Sequence, residues 1–559
     1  MDDKTRFDDN VVVNIPLQYP NEDETKLDEN PPAYEHPRID FSSGWKDRGF
    51  AIIFWIHAAT VIILACVLGV PKLISYIKFL NEFSLKKIKD SNQTIFNVEI
   101  KPIVLSLSSA SAAAGLSSFF IIFILQQCSS QFIKCSLLIT IIIQVLIGVG
   151  LFFVFWPLCF LPGLYVSILL LTFCCLRKRI AFADAHLKAG CAALRSHPSL
   201  VLIAVIMLIV EFLWFLFWFL MVLGIHGAAT DPTSNLQIKA NETMATTRPT
   251  WITTTPSFNN EQIKKFDNTP YGMRTRNLTN NSNSTSEDDG FKKYIIGIIG
   301  FLLSLSWYWG AIAIGNIGHF VTACMVGQWW FSDGENQQQY SMKKSIKRAF
   351  TKNFGTICFG SFFEALFKTL HRMVDNNNRR DGNILTCILA CILKLIERAI
   401  GYLNEWAFIF AALTGQGFVH ASKSFLELFK KRGWTAIIND VIIGTALSFI
   451  NLGIAITSAV VGGVTFHLMN NKPLENTVVI LIVVIIVSFI IGLFMSSVVT
   501  TILISCTRTV FVCFALNPAA LGATHPDHLQ RLTKVWHKFY PQEFATSGYA
   551  EQFKYPIDQ

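Results

Sequence analysis

The chain has 559 residues, of which 52% are hydrophobic and only 15% are charged. Soluble domains carry about 25% charged residues, so this composition excludes an ordinary water-soluble fold. The formal net charge is +9, but the basic residues form short clusters beside hydrophobic runs and no long patch, which excludes a nucleic-acid partner.

An acidic segment without an apolar core opens the chain, so we expect the first hydrophobic run to span the membrane and not to act as a signal peptide. We expect residues 1–44 to form a disordered cytoplasmic tail. Pro31, Pro32 and Tyr34 form a PPxY motif, which an extended tail can present to a WW domain. An inert linker is an equally weighted alternative.

Ten runs of mostly apolar residues follow, and a bilayer crossing takes about 20 such residues. Eight are strongly apolar: 50–70, 102–126, 134–155, 157–176, 200–224, 294–326, 436–466 and 476–500. Two weaker runs, 353–373 and 384–418, carry charged side chains, and one of them could lie along the membrane surface. The pattern predicts an all-α polytopic membrane protein with about ten transmembrane helices in 45–505 and a cytoplasmic C-terminal segment, 506–559.

Basic loops between the fourth and fifth runs, after the sixth and before the ninth predict the orientation. The positive-inside rule places these loops and both termini in the cytoplasm. The segment 228–292, rich in Thr, Asn, Ser and Pro, is then a flexible extracellular loop. Five N-x-S/T sites fall in the two predicted outer loops, and we expect them to carry glycans: Asn92, Asn241, Asn277, Asn280 and Asn283.

No familiar catalytic or metal-binding motif is present. The chain contains no G-x-x-x-x-G-K-[ST] phosphate loop, no H-E-x-x-H, no G-x-S-x-G and no paired C-x-x-C. We therefore expect a protein without enzymatic activity, metal or cofactor.

Polar side chains inside the apolar runs are costly in a bilayer and therefore point to function. Glu211 lies near the middle of the run 200–224, and Trp214 and Trp218 follow on the same helical face. A carboxylate beside indole rings suits a quaternary ammonium ion, which the rings attract through their faces. Equally, Glu211 could be protonated or bonded to a neighbouring helix, with both tryptophans facing lipid.

A second polar cluster occupies the run 294–326. Trp307 comes first, and Asn316 and His319 follow three residues apart, so that both face roughly one side of a helix. They are candidates for a substrate pathway, and the alternative is that they hold neighbouring helices together by hydrogen bonds.

Four segments carry a family resemblance. They are the Trp, Asn, His and terminal aromatic pattern of 306–331, the glycine-serine segment 354–361, the segment 403–440, and 512–526 with its Ala-Leu-Asn-Pro and Thr-His-Pro motifs. Together they resemble the choline transporter-like family (solute carrier family 44), and its fungal pH-nine-sensitive branch in particular. The likeness covers about 45–540.

The resemblance implies a multi-pass protein of the plasma membrane that facilitates movement of choline or a related organic cation. Glu211 would neutralise the cation, the tryptophans would cage it, and Asn316 and His319 would orient helices or gate. The candidate pathway residues are Glu211, Trp214, Trp218, Trp307, Asn316 and His319. Two alternatives remain: an adaptor that recruits WW-domain ubiquitin ligases through its PPxY tail, and a lipid-translocating protein.

Overall fold

The computed structural model describes residues 44–78, 100–154, 179–230, 285–331, 342–382, 384–432, 435–470 and 477–546. These residues form α-helices and short π and 3-10 turns, with no β-strand among them. The predicted all-α fold is confirmed.

The first helix in the chain is α1 (Arg48–Leu64), which passes into a π-helical turn (Ala65–Gly69) and stays helical to Lys78. The next helices are α2 (Ile100–Val154), α3 (Ile180–Ser196), α4 (Ser199–Thr230), α5 (Thr285–Phe331) and α6 (Met342–Phe350). They are followed by α7 (Phe354–Asp381), α8 (Ile384–Thr414), α9 (Phe418–Arg432), α10 (Thr435–Met469) and α11 (Val478–Leu516). A 3-10 turn (Ala519–Ala523), α12 (Pro526–Phe539) and α13 (Pro541–Thr546) complete the described chain.

Six helices in the described part of the chain are long and apolar enough to cross a membrane: Arg48–Lys78, Lys101–Ser136, Ser199–Gly227, Tyr294–Phe331, Asn439–Met469 and Val478–Leu516. Each coincides with a predicted strong run. The run 134–155 continues α2 beyond a kink at Cys128, and 157–176 lies outside the described residues. The two weaker runs form the charged helices α7 and α8, which are not among the six. The count of ten spans and the cytoplasmic position of both termini stay predictions.

Two expected boundaries fall inside helices. Helix α11 passes through residue 505 and ends at Leu516, because most of its last residues are buried against other helices. Helices α4 and α5 extend to Thr230 and back to Thr285, inside the segment 228–292 that we expected to be a loop. The rest of that segment lies outside the described residues.

The helices pack in two groups. Helices α2, α10 and α11 pack side by side, with α3 against α2 and α11 and with α12 against α3. The second group contains α1, α4, α5, α7 and α8, with α6 and α9 attached to it. Helix α11 makes the main connection between the groups, because it packs on α4, α5 and α8.

Glycine allows a close helix approach where the helix that begins with α1 crosses α4. A Cβ atom on Gly224 would lie 2.7 Å from the backbone nitrogen of Gly69, which is too close for any side chain. The crossing therefore needs glycine, as in other membrane helix pairs whose backbones nearly touch.

Asp47 ties the start of α1 to two other helices. One of its carboxylate oxygens accepts a hydrogen bond from the Thr356 hydroxyl of α7 (2.8 Å) and another from the backbone N–H of Phe418 in α9 (3.0 Å). Among the described residues, Asp47 is the only non-glycine residue with a positive φ, at 48°. These bonds hold a backbone conformation that L-residues adopt at a cost.

Candidate functional site

A cavity of about 200 Å³ lies between α4, α5 and α11, where the two groups of helices meet. Apolar side chains such as Met207 and Phe494 form much of its wall. The polar side chains on the wall come from all three helices: Glu211 from α4, His319 and Thr322 from α5, and Ser497, Thr501 and Ser505 from α11. Helix packing thus brings two predicted pathway residues, Glu211 and His319, to one cavity.

Glu211 is half-buried in an apolar stretch of α4 and opens into the cavity. Among the residues that the structure describes, its carboxylate has neither a hydrogen bond nor an ion pair. A carboxylate in apolar surroundings is unfavourable unless a positive charge or a donor reaches it. Glu211 is therefore suited to meet a cation that enters the cavity.

His319 is held in place on the part of the wall that α5 forms. Its Nε2 lies 2.7 Å from the backbone carbonyl oxygen of Glu405 in α8. A carbonyl oxygen can only accept, so Nε2 carries the hydrogen and donates, which leaves Nδ1 as an acceptor in the neutral ring. This bond joins the cavity wall to α8.

The three tryptophans predicted to cage a cation lie together but are not part of the cavity wall. Trp214 and Trp218 donate their indole N–H groups to the backbone oxygens of Trp307 (3.4 Å) and Leu303 (3.1 Å) in α5. The rings of Trp218 and Trp307 are 5.3 Å apart. In this conformation the three rings join α4 to α5. The part of α4 that lines the cavity ends at Glu211, before Trp214.

Asn316 bonds to a different helix from its neighbour His319. Its Nδ2 donates to the Ser361 hydroxyl of α7 at 2.9 Å, and it is not part of the cavity wall. Asn316 thus links α5 to α7 in this conformation. This is the alternative to a pathway role that the sequence also allowed.

An ion cluster beyond the cavity was missed by the sequence analysis. Arg508 in α11 donates from Nε and Nη2 to the two carboxylate oxygens of Asp440 in α10, both at 2.7 Å. It also donates from Nη1 to the side chain of Glu405 in α8. The rings of Tyr402 and Trp406 lie 5.8 Å and 5.9 Å from the guanidinium carbon.

Arg508 was missed because the last span was expected to end at residue 500, which placed the arginine in the C-terminal segment. The signal that could have found it is a lone arginine in a long apolar run, since a buried arginine needs a carboxylate partner. The cluster holds one positive and two negative side chains and lies one helical turn beyond Ser505 of the cavity wall.

Several predicted sites lie outside the described residues. They are the PPxY residues Pro31, Pro32 and Tyr34 and the acceptor asparagines Asn92, Asn241, Asn277, Asn280 and Asn283. Within the described ranges, no three His, Cys, Asp or Glu side chains are grouped to hold a metal ion.

Comparisons with known proteins point to one family. The family described as "Plasma-membrane choline transporter" matches residues 161–519, a range that includes the cavity and the ion cluster. Protein PNS1 of Gibberella zeae is 30% identical over 267 residues, which are 46% of this chain and 48% of that protein. A CTL-like protein of Dictyostelium discoideum is 23% identical over 401 residues, 70% of this chain and 60% of that protein.

Protein PNS1 of Candida albicans is 27% identical over 276 residues, 48% of this chain and 52% of that protein. The chain thus spans about half the length of the fungal relatives that it matches. The family match covers more than half of this chain. The protein therefore belongs to the choline transporter-like family of multi-pass membrane transporters.

Proposed function

We propose that the protein carries choline or a related organic cation across the plasma membrane, and that the cation binds in the cavity between α4, α5 and α11. The observation that supports this proposal is the carboxylate of Glu211, which opens into a mostly apolar cavity without a partner among the described residues. A quaternary ammonium ion has no N–H to donate, so it needs a negative charge and apolar contact, and this cavity offers both.

The size of the cavity favours a small substrate. Pockets for drug-sized ligands measure about 300–1,000 Å³, and this cavity measures about 200 Å³. A cation with few heavy atoms suits that volume better than a lipid with two acyl chains. This comparison favours a carrier of small cations over the lipid-translocating alternative.

The position of the cavity between two groups of helices suggests how access could alternate. In many transporters one group of helices moves against another around a binding site. Here Glu211 and His319 belong to one group, and the wall residues of α11 to the other. Relative motion of the groups would open the cavity to one side and close it to the other.

The ion cluster is placed to hold one of these states. The Arg508–Asp440 pair lies within the group of α10 and α11, whereas the Arg508–Glu405 bond connects that group to α8. The side chain of Glu405 is 41% exposed and that of Asp440 only 13%. We infer that the Glu405 bond breaks when the groups separate and that the Asp440 pair stays intact.

The test is uptake by the purified full chain in liposomes. We expect saturable uptake of labelled choline, competition by unlabelled choline, and weaker competition by ethanolamine, whose ammonium group is more strongly hydrated. Thiamine is the larger comparison cation. If none of these cations enters faster than in protein-free liposomes, the carrier proposal is wrong.

A further inference from the structure

Helix α6 carries a basic pocket that the transport proposal does not use. The pocket has a volume of about 330 Å³ and is lined by Gln328, Lys344, Lys347, Thr351 and Lys352, together with Ser345 and Arg348. No carboxylate lies among these lining residues. Three lysines around one space, with hydroxyl and amide groups between them, form an environment for an anion.

The amphipathic pattern of α6 places the lysines at the pocket. Its apolar residues Met342, Ile346 and Phe350 pack against the hydrophobic core, and α6 lies against α5 and α7. Lys344 and Lys347 lie on the other side of the helix and are exposed. The helix therefore presents positive charge to its surroundings while its apolar side anchors it.

Arg348 and Gln328 give the pocket a rigid base. The guanidinium of Arg348 is buried and donates to the backbone oxygens of Ala411 (3.4 Å) and Ala412 (3.0 Å) near the end of α8. Gln328, in the last turns of α5, donates to the Ser345 hydroxyl at 3.0 Å. Arg348 thus hydrogen-bonds to carbonyl groups near the C-terminus of α8, and the lysines supply further positive charge around the pocket.

The pocket lies at the end of a membrane span. Gln328 belongs to the span Tyr294–Phe331, and its bond to Ser345 fixes α6 beside the end of that span. Basic pockets at the cytoplasmic ends of spans are suited to phosphorylated lipid headgroups, and each lysine near the membrane surface adds to the attraction.

We propose that this pocket binds the phosphorylated headgroup of an anionic phospholipid in the leaflet that faces it. The lysines of the pocket contact the phosphate oxygens, and the acyl chains stay in the bilayer beside α5 and α7. The assignment to the cytoplasmic leaflet rests on the orientation that the basic loops predict. The binding itself is independent of the transported substrate.

The test is thermal unfolding of the purified full chain in detergent with a short-chain phosphatidylinositol bisphosphate. A ligand that binds the folded state raises Tm with its concentration, so the titration yields an apparent Kd. The test variant is Lys344→Gln with Lys347→Gln, and the matched control is Lys343→Gln with Lys430→Gln. All four lysines are exposed, and neither control position lines the pocket.

We expect the lipid to raise Tm of the wild-type and control proteins, and the apparent Kd to rise roughly 10- to 30-fold in the test variant. Arginine at both tested positions should restore binding. Equal Kd values in the test and control variants would mean general charge attraction and overturn the proposal, as would the absence of any Tm rise. Equally tight binding of the water-soluble inositol trisphosphate headgroup would assign the pocket to a soluble anion and overturn the lipid source. None of these outcomes depends on cation uptake.

Discussion

His319 of α5 donates from Nε2 to the backbone oxygen of Glu405 in α8 at 2.7 Å, and the side chain of the same Glu405 accepts a hydrogen bond from Arg508 in α11. The wall of the cavity is thus joined to the ion cluster through one residue. The His319 bond lies within one group of helices, whereas the Arg508 bond connects the two groups, so a shift of α8 relative to α11 would break the second bond and leave the first in place.

Glu211→Gln is expected to weaken cation binding while the protein stays folded. Glutamine keeps the shape of the side chain and removes the charge, and the loss of one charge contact costs about 1–3 kcal/mol, or roughly 5- to 150-fold in affinity. The measurement is the concentration dependence of choline uptake at matched surface levels. Glu427→Gln, an exposed change in α9, is the control. An unchanged concentration dependence in the Glu211 variant would remove this residue from the binding site.

Asp440→Asn is expected to lower stability more than Glu405→Gln. Asp440 accepts two hydrogen bonds from Arg508, and both side chains are only 13% exposed. Removing one partner of a buried pair costs about 3–5 kcal/mol, whereas partly exposed pairs contribute about 0–1 kcal/mol. The measurement is Tm of each purified variant, and equal losses would contradict the different roles proposed for the two carboxylates.

Glu405→Gln is expected to change the rate of uptake more than the apparent affinity. This residue makes the bond between the two groups of helices, so its loss shifts the balance between the two access states. Uptake rates at saturating choline, compared with the exposed control Glu427→Gln, measure the effect. A rate equal to that of the control would show that the bond does not hold a transport state.

Trp218→Leu is expected to lower stability by about 1–3 kcal/mol, because it removes the hydrogen bond to Leu303 and the ring contact with Trp307. The affinity for choline should change little if the observed conformation is the one that binds. Tm and uptake affinity are measured on the same variant. A large loss of affinity at unchanged Tm would mean that the ring reaches the cation, as the sequence pattern predicted.

Gly224→Ala is expected to destabilise the crossing of α1 and α4, because the added methyl group would meet the Gly69 backbone. The control is Gly297→Ala in α5, where no atom lies within 4 Å of the added Cβ. Alanine favours a helix over glycine by about 0.5–1 kcal/mol, so the control should be neutral or slightly stabilising. Tm changes of the same sign in both variants would argue against the close crossing.

Tyr34→Ala is expected to abolish WW-domain binding by the tail and to slow ubiquitin-dependent removal from the cell surface. The tyrosine ring is the part of the PPxY motif that an aromatic groove recognises. Transport per molecule should stay unchanged, because the tail is separate from the cavity in the sequence. A pull-down in which the wild-type peptide binds no member of a WW-domain panel would contradict the prediction.

The membrane helices could be predicted from the sequence because their signal is local. A run of about 20 apolar residues must satisfy its backbone groups internally in a bilayer, so the strong runs that the structure describes form helices whatever their neighbours are. The family could likewise be recognised from motifs such as 306–331, since those residues occur in a fixed order along the chain. Glu211 and His319, which line the cavity, stand out in the sequence because polar groups in apolar helices are rare.

The partners of these residues depend on how the helices pack. Asn316 and His319 are three residues apart on one face, yet Asn316 bonds to α7 and His319 to α8, because two helices cover that face side by side. Glu211 likewise opens into the cavity, while Trp214 on the same helix contacts α5. Periodicity determines which face a side chain occupies but carries no information on the helix that covers it.

Arg508 is the clearest case. Its partners Asp440 and Glu405 are 68 and 103 residues away in the chain, on two other helices. Glu405 lies in a weaker run and Asp440 near the start of the strong run 436–466, and the arginine itself lies beyond the expected end of its span. A charge cluster of this kind forms only when three helices pack together, because the desolvated arginine is stabilised by its carboxylates at contact distance.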